Sequence, residues 1–84
     1  MKKIKLLRKA LSGTKNFRFA ELCQLAVAVG YRLDRVHGSH HIFVHPKASR
    51  PLNIQNVHGQ AKPYQVRQLL RDIEEFNLQL ETDE

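Results

Sequence analysis

From Pro63 to Phe76 the chain sets Val66, Leu69, Leu70, Ile73 and Phe76 along one side of a helix of about three turns. Pro63 suits the first turn, where its missing N–H costs nothing. A helix with one apolar stripe needs a surface to bury it against, and 84 residues leave room for a single such core. Residues 18–29, RFAELCQLAVAV, offer a second helix for the same core. Phe19, Leu22, Cys23 and Ala26 recur at i, i+3, i+4 and i+7, and Gly30 supplies the stop.

Between these helices the apolar period falls from near four to two. YRLDRV reads as a strand with Tyr31 and Leu33 on one face and Arg32 and Asp34 on the other. HGS turns the chain, HHIFVH forms a second strand that Pro46 ends, and LNIQ forms a short third strand after the polar turn PKASRP. NVHGQAK is a loop. The order α-β-β-β-α predicts an α+β domain: a three-stranded antiparallel sheet with two helices on one face and the opposite face wet. Residues 1–17 are expected to be a basic arm or a short helix with Ile4, Leu7 and Leu11 at helical spacing. The domain proper spans 18–80, and 81–84 form an acidic tail.

Charge divides unevenly along the chain. Six of the eight acids lie in RDIEEFNLQLETDE, so residues 1–71 are far more basic than the net charge of +6 suggests. That asymmetry fits a polyanion such as nucleic acid, although charge alone fits simple solubility equally well. The lone Cys23 lies on an expected core stripe and suits a reducing compartment. No apolar run approaches a membrane span, and MKKIKLLRKALSG is too short and interrupted for a signal peptide. A cytoplasmic protein with no membrane association is expected.

Four of the five histidines fall in HGSHHIFVHP. Strand alternation sends His40 and His41 to opposite faces, while His41 and His45 share a face but stand roughly 13 Å apart. His37, His40, His41 and His45 therefore make a poor zinc set, and no metal or other cofactor is expected. Ser39 beside His40 has no orienting acid and forms no nucleophile elbow. Acid–base chemistry on RNA fits better. A histidine can take the proton of a ribose 2′-hydroxyl, and the backbone N–H groups of Gly38 and Ser39, with nearby cations, can hold the phosphate. From spacing alone, a half-exposed strand histidine accounts for His40 at least as well. Lys47, Arg50 and Lys62 are possible phosphate ligands, Tyr64 a possible base-stacking ring. His58 is placed to face His40 across the sheet end.

A helix ending in VGY, then GSHHIFVHP, a third strand and a last helix carrying QVRQLLRDI together resemble the HicA toxins of bacterial toxin–antitoxin pairs. The likeness covers residues 18–80. It implies a fold similar to a double-stranded-RNA-binding domain and an mRNA interferase activity, that is, a small ribonuclease that cuts mRNA. It also implies a HicB-like antitoxin that covers the active site. The family's catalytic histidine follows Gly-Ser, which is His40 here; His41 is not carried over. The family's Pro-x-His segment after the third strand is absent, and His58 stands nearest to it. A metal-independent endoribonuclease, monomeric by itself, is the leading expectation, and a non-catalytic RNA-binding module of the same fold is the alternative.

Overall fold

The computed structural model of the protein describes residues 2–81. Its elements are α1 (Lys3–Ser12), α2 (Phe19–Ala28), β1 (Arg32–His37), β2 (His40–Val44), β3 (Leu52–Gln55) and α3 (Pro63–Glu75). The strands form one antiparallel sheet in the order β1-β2-β3, so the α+β arrangement expected from the period change is present, with one further helix in front. Beyond Glu81, the expected acidic tail lies outside the described residues.

The helix ends obey local chemistry. After α2, Gly30 takes a left-handed φ of 101°. Its N–H donates to the Val27 carbonyl and that of Tyr31 to Ala26, closing the helix in a Schellman motif. Asn77 does the same after α3 with φ 54°, and Leu78 N–H reaches back to Ile73. Pro63 opens α3 as expected.

Alternation in β2 and β3 points Phe43, Leu52 and Ile54 at the helices. There they pack with Leu22, Leu25 and Ala26 of α2 and Val66 and Leu69 of α3. The N-terminal segment joins this core. However, α1 buries Leu6 and Ala10, while Ile4 and Leu11 of the expected stripe stay exposed. Lys9 ties α1 to α2 by an ion pair of 2.6 Å to Glu21, whose carboxylate also accepts the Arg18 N–H. Partial burial pushes the Glu21 carboxyl up, but Lys9 and the Arg18 N–H outweigh it and hold the group below its usual range.

Strand β1 departs from its expected alternation. It is exposed at every residue, and none of it enters the core. Its register against β2 slips between Leu33 and Arg35, so Asp34 is the extra residue of a β-bulge. Arg32 pairs with Val44 and Arg35 with Ile42. Three positions apart, these arginines would face opposite ways in a regular strand; the bulge turns them to the same face.

Candidate active site

One face of the sheet packs on the helices, and the other carries the side chains that alternate with the core residues. Cross-strand partners share a face, so the register places His37 and Arg35 of β1 beside His40 and Ile42 of β2, with Asn53 and Gln55 of β3 beyond them. The hairpin that joins the two histidines has only two loop residues. Gly38 holds φ 57° at the first of them, a conformation that glycine adopts without a Cβ penalty. Asn56 N–H donates to the Ser39 carbonyl at 2.9 Å, which fixes this turn to the end of β3.

His40 is half-buried, and its Nδ1 lies 3.1 Å from Oδ1 of Asn53. Facing an amide oxygen, Nδ1 carries the proton, and the lone pair sits on Nε2. A free ring nitrogen of this kind can accept a proton. Alternation sends His41 the other way, where its ring meets Phe19 edge-on with centroids 4.8 Å apart and its Nδ1 is buried without a partner. At the far end of β2, His45 is a strut. Its Nδ1 accepts the Lys47 N–H at 3.0 Å, so its Nε2–H donates to the Val29 carbonyl at 2.9 Å. Among the described residues no three His, Cys, Asp or Glu side chains gather closely enough to share an ion.

The loop after β3 closes the same end of the sheet. Phe19 N–H donates to Gly59 O and Ala61 N–H to Phe17 O, pinning the loop to the start of α2. A shallow depression of about 550 Å³ lies here, walled by Gly38, Ser39, His41, His58 and Gly59 among others. His58 thus shares a wall with His41 and the Gly-Ser turn. His40 is not part of that wall, contrary to the expectation that His58 faces it.

The expected phosphate ligands scatter. Lys62 precedes α3, whose first turn is held to this end of β3 by the Gln55 N–H bond to Gln65 Oε1 at 2.8 Å. Lys47 lies at the opposite end of β2, beside His45. Arg50 is committed elsewhere: it pairs with buried Asp72 at 2.5 Å and Glu75 at 3.0 Å, and lies over the Phe76 ring. Glu75 and then Asp72 hold its guanidinium proton more firmly still. The Tyr31 hydroxyl, 3.5 Å from Asp72 Oδ2, completes this knot; burial first, and Asp72 second, push its phenol up. Arg50 therefore braces α3 against the β2–β3 turn. Cys23 is half-buried, and burial pushes its thiol up to about 11, which leaves it without nucleophilic character at neutral pH.

The cations that share the face of His40 are Arg35, opposite Ile42, and Arg32, farther along opposite Val44, and sequence reading passed over both as phosphate ligands. Both are exposed on the histidine face, with Asp34 2.7 Å from Arg35 and 3.9 Å from Arg32. Exposed pairs of this kind are worth about 0–1 kcal/mol, so an incoming phosphate can displace the carboxylate. Only the slip in register brings both arginines to this face, and no residue type marks it in advance. Tyr64, exposed, borders the β3 edge near Asn53.

Two arginines, two histidines and an amide on one open sheet face form a cationic surface, with one imidazole oriented by the amide. Comparison with the curated proteins and with the solved structures finds no match. A family model described as the HicA toxin of bacterial toxin-antitoxin matches residues 19–74, more than half of the chain, from the start of α2 through the histidine hairpin and into the last turn of α3. The chain belongs to the HicA family of toxins of bacterial toxin–antitoxin systems.

Proposed function

We propose that this toxin is a metal-independent endoribonuclease that cleaves mRNA with His40 as its general base. The observation that carries the reading is the hydrogen bond from His40 Nδ1 to Asn53, which leaves Nε2 basic on a face that also bears Arg32 and Arg35. RNA brings its own nucleophile. His40 takes the 2′-hydroxyl proton, the 2′-oxygen attacks the adjacent phosphorus, and Arg35 with the Gly38-Ser39 turn offsets the charge that develops on the phosphoryl oxygens, while Arg32 holds the RNA backbone farther along the face. Neither a covalent enzyme intermediate nor a metal enters this scheme.

The setting follows from the reaction. The chain acts in the cytoplasm, where mRNA is found, as a monomer, and is neutralised by a HicB-like antitoxin that covers the histidine face. Among the described residues no helix is long and apolar enough to cross a membrane.

The test pairs induced expression with cleavage of purified RNA in EDTA. His40→Ala is expected to relieve growth arrest and to lower cleavage by ~10²–10⁴-fold while retaining the fold. An alanine variant as toxic as the parent removes His40 from the role. RNA bound in a salt-dependent way but left intact by the parent protein marks a non-catalytic RNA-binding module instead.

A further inference from the structure

The reaction just proposed needs a proton donor as well as a base. Attack by the 2′-oxygen breaks the bond from phosphorus to the 5′-oxygen of the next nucleotide, and an alkoxide leaves poorly unless it is protonated. In in-line displacement the attacking and leaving oxygens stand on opposite sides of phosphorus, so the donor has to share the face with the base and reach the phosphate from its other side.

The sheet register puts one titratable side chain in that position. His37 and His40 are direct partners across the β1–β2 ladder, flanking the two-residue turn. Direct partners share a face with Cβ atoms about 4.5–5.5 Å apart, so both imidazoles are within reach of one phosphate bound on that face. His37 is exposed, so it reaches a bound RNA without rearrangement. Other candidates fail on position or chemistry. Arg35 on the same face does not release a proton, His58 lines the depression with His41, and Tyr64, with the Lys62 ammonium over its ring, stands at the β3 edge.

We propose that His37 is the general acid of this toxin, and that the cross-strand pair His37–His40 forms its catalytic dyad. This rests on the ribonuclease reading of His40. The step balances: His40 accepts the 2′-hydroxyl proton, the new O2′–P bond forms as the P–O5′ bond breaks, and the His37 imidazolium gives its proton to the departing 5′-oxygen. The products are a 2′,3′-cyclic phosphate and a 5′-hydroxyl. One proton has passed from His37 to RNA and one from RNA to His40, and solvent exchange resets the pair.

The experiment changes the leaving group. The cleavage site of the wild-type protein is first mapped on a cellular mRNA by primer extension. A short RNA spanning it is then made with either oxygen or sulfur at the bridging 5′ position. A thiolate departs without protonation, so the sulfur substrate dispenses with the acid alone. With oxygen, His37→Ala and His37→Gln are expected to cleave ~10²–10⁴-fold more slowly than wild type. With sulfur they are expected to match it, while His40→Ala stays impaired on both. Binding of the 2′-deoxy analogue, which cannot be cut, is expected to be unchanged in the His37 variants.

Equal losses on both substrates would make His37 a binding or positioning residue and overturn the proposal. So would undiminished cleavage of the oxygen substrate by both His37 variants; with His40→Ala inactive in the same assay, the ribonuclease reading would survive. If His40→Ala cleaves normally, or the wild type cuts no RNA, the underlying reading fails and the dyad falls with it.

Discussion

The Nδ1 of His40 lies 3.1 Å from the amide oxygen of Asn53, which sits diagonally across the β2–β3 ladder on the same face. A neutral amide can orient the ring and select its tautomer, but it cannot supply the charge that a carboxylate would. Asn53→Ala is therefore expected to slow RNA cleavage roughly 2- to 10-fold, the rate equivalent of one hydrogen bond of about 0.5–1.5 kcal/mol. Single-turnover cleavage at saturating protein measures it. A loss as deep as that of His40→Ala would mean that Asn53 does more than orient.

Arg35 neighbours the histidines and Arg32 continues the same face to the far end of β2, opposite Val44, while Lys47 lies past that strand end beside His45. Counterion release turns that difference into a slope. With the non-cleaving His40→Ala protein, the plot of log binding constant against log salt for single-stranded RNA is expected to flatten by roughly 0.7 for each of Arg32→Ala and Arg35→Ala. Lys47→Ala is expected to leave it unchanged. The reverse pattern would move the RNA path away from β1.

A Cβ placed on Gly30 would lie 2.7 Å from Nε2 of His45, the atom that binds the Val29 carbonyl, on a residue with φ 101°. Gly30→Ala should cost about 1–3 kcal/mol, or roughly 4–24 °C in Tm at this chain length. The cost should be less than additive with His45→Ala, because removing the ring removes the clash. Thermal melts of the two single variants and the double variant decide it; strict additivity would show that backbone conformation alone is at issue.

Glu21 titrates lower in the folded chain than its ordinary value of 4.5, net of a burial effect in the other direction. A depressed folded value means that its contribution is complete above about pH 4.5 and is lost as pH falls through the lower folded value. Lys9 is partly exposed, so the pair is worth roughly 0.2–1 kcal/mol. The stability gap between wild type and Lys9→Met should be present at pH 6 and close toward pH 3 in denaturant melts. A gap that persists in acid would assign it to packing of the Lys9 stem.

Periodicity made α2, α3 and β3 legible because burial on one face leaves a mark on every turn or every second residue. Gly30 and Pro63 added boundaries, since each fits one backbone conformation. The buried face of α1 was less legible: Ala10 packs in the core, yet a small residue adds little to an apolar stripe, and the larger Leu11 next to it faces solvent. His40 stood out through its Gly-Ser turn and family likeness. Its companions did not. Arg50 meets Asp72 across 22 residues of chain, a contact that no local pattern encodes, and loop placement alone made it look free. Arg32 and Arg35 were hidden for the opposite reason, because alternation was followed through a strand that breaks it.

That break bears on which changes in length β1 can absorb. Losing one residue from a strand usually flips everything beyond it, yet Asp34 is the residue that the ladder does not count. Deleting it would leave Arg32 opposite Val44, Arg35 opposite Ile42 and His37 opposite His40. It would also remove the carboxylate that now lies beside both arginines. The bulge thus works as a detachable damper on the positive charge of the histidine face, one that an in-frame loss of a single codon can lift without disturbing a side chain's orientation.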